Sequence, residues 1–337
     1  QFLSIHFVHR KIGMNPNAYL VKDILKPEMK ATRDGYGEGL VLAGEKNKNV
    51  VVLCADLTES TRSLAFQKKF PERFVELGVA EQNMASVAAG MSLAGKIPFI
   101  SSYATFSPGR NNEQIRTTIA YNEANVKIAG AHAGISVGPD GATHQALEDI
   151  GLMRMLPGMT VIVPCDAEEA KKATLAAAET TGPVYLRFGR EKTPVITTNH
   201  TPFKIGRAEV FKDGRDVVIF ACGPLVYNAI KAALDLEEEK ISAAVINIHT
   251  VKPLDGETIL KYASKTKVVV TAEEHQIYGG LGSAIAEFLA KELPVPMEFI
   301  GVHDSFGESG QPEELIEKYG LGVESIKKAI RKVLTRK

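Results

Sequence analysis

Short runs of β-branched and aromatic residues recur along this chain, each separated from the next by a longer stretch with helical spacing. Runs at 49–54 (NVVVLC), 97–101, 126–131, 159–163 and 183–188 alternate with helical stretches at 33–46, 81–95, 109–123, 144–155 and 166–180. A run that is apolar at every position is a strand covered on both faces. This rhythm therefore demands βαβ units and a mostly parallel sheet between two layers of helices. A polar stretch punctuated by Thr193-Pro194, Thr197-Thr198-Asn199 and Thr201-Pro202 then interrupts it. The rhythm resumes with strands near 207–211, 216–222, 241–248, 267–273 and 297–301, and helices near 225–236, 255–264, 280–292, 312–319 and 323–335. The expected fold class is α/β: two three-layer α/β/α domains with mostly parallel sheets, at 28–190 and 206–337, joined by a linker over 191–205. Residues 1–27 read as an N-terminal extension, partly foreign or flexible. Within it 1–13 differ in character from the rest of the chain, and Met14 suits a natural start.

A chain of 337 residues has room for two such domains. Forty basic and forty acidic side chains cancel, which argues against a nucleic-acid or membrane-surface partner. No apolar run approaches the roughly 20 residues that span a bilayer. Cys54, Cys165 and Cys222 lie far apart, each after a β-branched apolar run. They read as buried thiols with no metal or disulfide spacing, and a reducing cytoplasm is the expected compartment.

Three segments carry candidate chemistry. Gly78-Val79-Ala80-Glu81-Gln82-Asn83-Met84 places one carboxylate between a strand end at 73–77 and a helix rich in alanine. An acid there reaches a ligand in the crevice beyond the strand ends. Ser101 to Arg110 sets Tyr103 and Phe106 just past a strand, two flat faces for a ring to stack on. His132 to Gln145 is a loop with glycines at 134, 138 and 141, carrying His132, Asp140 and His144. Glycines let its backbone approach a ligand closely, and histidines on a loop move protons near neutral pH. Arg33, Ser60 and Arg190 are candidate phosphate ligands, arginine being suited to bidentate contact. Plainer readings stand beside these: a helix-opening acid that complements the dipole, two core aromatics, solvated surface charges. In the second half, Glu273-Glu274-His275 precedes Gly279-Gly280-Leu281-Gly282-Ser283. The spacing is wrong for a G-x-G-x-x-G fingerprint, so this reads as tight strand-to-helix packing, and a nicotinamide dehydrogenase is disfavoured. His303-Asp304 reads as structural.

Taken together, these segments resemble the transketolase family over about residues 28–337, in its pyrimidine-binding and C-terminal domains. The resemblance implies thiamine diphosphate as cofactor. Glu81 would hydrogen-bond its aminopyrimidine, and Phe106 and Tyr103 would lie against that ring. Asp56 and Leu57 would lie near the thiazolium across a subunit interface. His144 would contact cofactor or substrate, His132 the substrate or its phosphate, and Asp140 a substrate hydroxyl. Arg33, Ser60 and Arg190 would hold the sugar phosphate. Arg110 and Asn111 depart from members that carry a further aromatic here. The family's C-terminal domain has no direct role in catalysis.

The family's Gly-Asp-Gly segment for the pyrophosphate and Mg²⁺ does not occur in this chain, and no metal ligand is expected from it. The resemblance thus implies the C-terminal subunit of a split transketolase. A separate N-terminal subunit would carry the diphosphate and most of the Mg²⁺ coordination, in a heterotetramer of two chains each. The implied activity moves a two-carbon glycolaldehyde unit from a ketose phosphate such as xylulose 5-phosphate to an aldose phosphate such as ribose 5-phosphate. The cofactor carries the unit while the protein orients it. Two alternatives remain: the β subunit of a 2-oxoacid dehydrogenase E1, and a non-catalytic paralogue that only binds a partner.

Overall fold

The structure, a computed structural model, describes residues 13–337. Its strands in chain order are β1 (Glu28–Ala31), β2 (Val50–Cys54), β3 (Phe74–Glu76), β4 (Ile97–Tyr103), β5 (Lys127–Ala131), β6 (Thr160–Ile162) and β7 (Val184–Arg187), then β8 (Lys192–Val195), β9 (Glu209–Lys212), β10 (Val217–Ala221), β11 (Ala243–Asn247), β12 (Thr250–Lys252), β13 (Val269–Gln276) and β14 (Met297–Val302). The first large sheet runs β12-β6-β7-β5-β4-β2-β3, and all of it but β12 is parallel. The second runs β14-β13-β10-β11-β9, parallel except for β9. The expected α/β class with two mostly parallel sheets is what forms. The reason is visible in β2, β5, β10 and β11, which are buried at every position and so need helices on both faces.

One layer of helices is drawn in by glycine. Helix Thr32–Lys46 lies against helix Ala167–Glu179 so closely that a Cβ on Gly35 would collide with the Ala167 carbonyl. A Cβ on Gly39 would come within 2.6 Å of Thr174 Cβ. The contact fixes the start of the first of these helices, and with it Arg33.

Three local expectations change. The helix expected over 109–123 is instead a wide π-type turn at Thr105–Arg110, one α turn at Asn112–Gln114 and a second wide turn at Ile115–Ala120. Ser107 is extended there, so a regular helix cannot run through it. Such wide turns are frequent at functional sites. The linker over 191–205 begins with β8, which pairs antiparallel with β1. The extension over 1–27 is built into the fold from Met14 onward, while residues 1–12 lie outside the described residues. Met14, Ala18, Leu20 and Ile24 are buried in the core of the second sheet. Asn15 Nδ2 donates to the Val210 carbonyl at 2.7 Å, capping edge strand β9. β12 crosses the other way, adding a strand from the second half to the first sheet. The two units are thus tied together in both directions. Among the described residues no helix is long and apolar enough to cross a membrane.

A buried lysine opens β5. Lys127 Nζ donates to Asn125 Oδ1 and to the Thr180 and Gly182 carbonyls at 2.6–2.7 Å, one acceptor for each N–H. It thereby closes the C-terminal end of helix Ala167–Glu179. At the junction of the units His249 is fully buried, stacked on Phe203 with ring centroids 4.3 Å apart. Burial pushes its imidazole from 6.5 down to about 3.

Burial of a neutral imidazole makes stability depend on pH. Below pH 6.5 the unfolded chain takes up a proton that the fold refuses, so the His249 contribution is complete above pH 6.5 and declines as the pH falls. The stability of the protein relative to a His249→Asn variant should drop by up to about 1.4 kcal/mol per pH unit below that point. Urea unfolding of both proteins at pH 7.5, 6 and 5 measures this, and a constant difference would mean that His249 takes up its proton as readily in the fold as in the unfolded chain.

Candidate active site

Strands β7, β5, β4, β2 and β3 lie side by side and end on the same side of the sheet. Ligands of open α/β sheets bind in the crevice beyond such ends. Every residue expected to do chemistry lies at or beyond the end of one of these five strands, except Arg33 on the first turn of helix Thr32–Lys46. Gly189, just past β7, donates its N–H to Thr32 Oγ1 at 2.8 Å, which ties that helix start to the crevice.

After β3, Gly78 turns the chain in the left-handed region (φ 67°) and Glu81 opens helix Glu81–Leu93. The Glu81 side chain is only 2% exposed. A carboxylate this far from water needs a partner, and Arg110 Nη1 supplies it at 2.8 Å from Oε2. The same guanidinium lies over the Phe106 ring, 4.5 Å from its centroid. Asn111 Nδ2 donates to the Glu81 carbonyl at 3.1 Å and to Ser107 Oγ. The wide turn after β4 is what brings Phe106, Arg110 and Asn111 round to the Glu81 helix.

Aromatic contacts continue the line. Tyr103 and Phe106 stack at 5.9 Å between centroids. His144 meets Phe106 edge-on at 5.4 Å and Tyr103 at 6.2 Å. Tyr103 lies 3.9 Å, centroid to centroid, from His132. Arg33 Nη1 is 3.1 Å from His132 Nε2 and donates at 3.0 Å to the Ser60 carbonyl. A connected series therefore runs Ser60, Arg33, His132, Tyr103, Phe106, Arg110, Glu81, with His144 leaning on the two aromatics.

His132 differs from the near-neutral histidine that its loop suggested. Burial first, then the positive charges of Arg33, Arg190 and Arg62, push it down to about 3. A guanidinium only donates, so Nε2 must accept and the ring proton sits on Nδ1. That atom is buried and has no partner among the described residues. His132 is thus a neutral hydrogen-bond donor near pH 7. His144 Nδ1 lies 2.9 Å from Thr143 Oγ1.

Asp140 and Arg190 pair with each other at 2.9 Å, and Arg190 also reaches the Val137 carbonyl at 3.4 Å. Asp56 and Leu57 stand apart from the connected series, and Asp56 is exposed at the end of β2 in a left-handed conformation (φ 59°). Glu76 holds this turn by accepting from the Asp56 and Gly78 amides and from Thr58 Oγ1 at 2.7–2.9 Å. Sequence reasoning missed Glu76, and it treated Arg110 and Asn111 only as departures from a pattern. A signal for Arg110 and Asn111 was there: two polar residues four and five positions after Phe106, beyond a strand end. A cavity of about 870 Å³ is lined by Asp34, Glu59 and Arg62, close in the chain to Arg33 and Ser60. Among the described residues no group of three His, Cys, Asp or Glu side chains could hold a metal ion.

Comparison with known proteins gives concordant matches. The family model described as transketolase, pyrimidine binding domain, matches residues 28–195, and transketolase, C-terminal domain, matches 206–326. A Methanocaldococcus jannaschii protein named as a transketolase C-terminal section is 47% identical over 304 residues, 89% of this chain and 95% of its own length. A Clostridium protein named 6-deoxy-6-sulfo-D-fructose transketolase subunit SqwH is 41% identical, covering 90% of this chain and 95% of its own. A solved structure described as split gene transketolase, inactive beta4 tetramer, aligns with a TM-score of 0.86 at 49% identity, over 91% of this chain and 99% of that one.

The state of His132 can be read directly. Nitrogen NMR of histidine-labelled protein should find one imidazole with its proton on Nδ1 and no titration between pH 8 and 4.5. A midpoint between pH 6 and 7 for that ring would contradict the arrangement.

Proposed function

The chain belongs to the transketolase family, and on that premise we propose that it is the C-terminal subunit of a split, thiamine diphosphate-dependent transketolase. Its reaction moves a two-carbon glycolaldehyde unit from a ketose phosphate, such as xylulose 5-phosphate, to an aldose phosphate, such as ribose 5-phosphate. The observation that carries this reading is the double contact of Arg110. A planar group with N–H donors lies on the Phe106 ring and bonds the buried Glu81 carboxylate. An aminopyrimidine is likewise planar and bears N–H groups, so the residues present fit the cofactor's ring. When bound, thiamine diphosphate supplies the nucleophilic carbon and the electron sink for the transferred unit.

This chain's own residues divide the remaining work. Glu81 holds the pyrimidine and fixes its tautomer through the hydrogen bond it accepts or shares. Phe106 and Tyr103 flank the ring, and Asp56 and Leu57 border the thiazolium at a subunit interface. His132 donates from Nδ1 to a substrate oxygen without changing charge. His144, against Phe106 and Tyr103, exchanges a proton with a sugar oxygen. Asp140 accepts from a sugar hydroxyl. Arg33, Arg190 and the Ser60 turn grip the anionic far end of the sugar, where arginine's fork suits phosphate or sulfonate. A relative named for a sulfo-sugar supports an anionic terminus as the shared feature of the substrates.

The diphosphate and Mg²⁺ fall to an N-terminal partner subunit, in a heterotetramer of two chains each. Support comes from the relative named as a C-terminal section and from a β-only assembly described as inactive. Three buried free cysteines suit a cytoplasmic setting.

Reconstitution tests this. The chain is assayed alone and with an N-terminal transketolase subunit, with thiamine diphosphate, Mg²⁺ and the two sugar phosphates. Turnover should be negligible alone and appear on mixing. Glu81→Ala should lower the reconstituted rate at least about 100-fold while the subunits still co-elute. Near-normal turnover of that variant removes Glu81 from its role, and consumption of pyruvate with lipoamide instead assigns the E1 β-subunit activity.

A further inference from the structure

If the chain is a transketolase subunit, one residue of its second unit acquires a role. The loop from His132 to Gln145 carries three of the substrate-side candidates, and within its own unit Arg33 and Arg190 reach His132, Val137 and Asp140. Its base is closed by the pairing of Ala133 with Ala146. Its middle is held from outside. Glu274, on β13 and 3% exposed, accepts from the Ser136 amide at 2.7 Å. Gly134 is left-handed (φ 95°), and a Cβ there would collide with the Glu274 carboxylate, so the two have no slack between them. Glu274 is itself fixed, because buried Arg187 donates to its carbonyl at 2.8 Å while pairing with Asp149 at 2.8 Å. Beyond Ser136 the second unit continues along the loop: Pro312 fills the space beside Gly138, and Gln145 Nε2 reaches the Glu308 carbonyl at 2.9 Å.

We propose, resting on that functional reading, that Glu274 is a positioning residue for the sugar substrates, setting the loop of His132, Asp140 and His144 from the second unit through the Ser136 amide. It touches no substrate atom. A loop with three glycines samples many conformations unless anchored, and apparent affinity falls with the fraction of molecules in the binding geometry. Glu81 and Phe106 sit on other strand ends, so cofactor binding depends less on this anchor than sugar binding does. The second unit, expected to have no direct part in catalysis, thus enters through substrate binding.

The test uses the reconstituted two-subunit holoenzyme with three variants. Glu274→Gln keeps an oxygen that can accept from Ser136. Glu274→Asp keeps the charge but shortens the reach, and Glu274→Ala removes both. Steady-state KM for each sugar phosphate, kcat and the dissociation constant of thiamine diphosphate are measured, with thermal melting to check folding. Glu274→Ala and Glu274→Asp should raise both sugar KM values at least about 10-fold, with cofactor affinity within about twofold of the parent and Glu274→Gln close to normal. Should the alanine variant fail to fold, the aspartate variant carries the test. Unchanged KM in the folded variants overturns the proposal, as does a parallel loss of cofactor affinity. A parent holoenzyme that transfers nothing overturns the functional reading and this proposal together, whereas an active parent with unmoved variants overturns this one alone.

Discussion

A carboxylate cannot be left charged and alone out of reach of water. Glu81, 2% exposed at the head of its helix, is under that constraint, and the surrounding structure is organised to meet it. Arg110 does so from the wide turn after β4, and in reaching Glu81 its guanidinium also covers Phe106. Removing one partner of a buried pair is costly, because the other charge is then stranded. Arg110 is half-exposed, so the exchange of this guanidinium for a ligand is less costly than breaking a fully enclosed pair. Whatever replaces it must bring donors to the carboxylate and a flat face to the ring.

That local demand is met by residues brought from far apart. Arg33 and His132 are 99 positions apart, and Glu81 and Arg110 are 29 apart. Only the lateral order of a parallel sheet makes them neighbours, by stopping five strands along one edge. The glycine-lined contact of helix Thr32–Lys46 with helix Ala167–Glu179 sets the height at which Arg33 enters. Crossed elements then fix one unit on the other. Residues from Met14 to Ile24 join the second core, and β12 joins the first sheet. The site thus depends on the whole chain.

Much of this was written in the sequence, for a physical reason. A strand covered on both faces must be apolar throughout, so 49–54 announced Val50–Cys54 and 126–131 announced Lys127–Ala131. The motif at Gly78–Met84 located the helix start at Glu81, because a glycine in the left-handed region followed by an acid marks that junction. Three short elements were invisible. β1, β8 and β12 are three or four residues long, too short for a pattern to stand out, and they exist because a partner strand arrives from elsewhere. Lys127 reads as a break in a buried strand until its three acceptors are seen. The charge state of His132 was equally out of reach, since it is set by burial and by arginines that only the folded sheet assembles. Local pattern reveals which residues line a crevice, and tertiary packing decides which of them titrate.

The polar atoms left without partners complete the picture. Buried polar groups are nearly always hydrogen-bonded, and an unmet one costs about 1–3 kcal/mol. Among the described residues, Arg33 Nε, His132 Nδ1, Ser102 Oγ and Asn111 Oδ1 are buried and unpartnered, all at this end of the first sheet. Their characters differ along the connected series. Arg33 and His132 offer N–H donors at one end, and Asn111 and Glu81 offer acceptors at the other. A ligand pair that relieves both must present acceptor oxygens toward Arg33 and donor nitrogens toward Glu81. An anionic sugar and an aminopyrimidine, lying in that order, meet both requirements, and the reverse order would set like against like at each end. On the proposed function, the unmet atoms favour a direction as well as a site: the sugar's charged terminus would lie under the arginines, with its reacting end along Tyr103 and Phe106 toward the carboxylate.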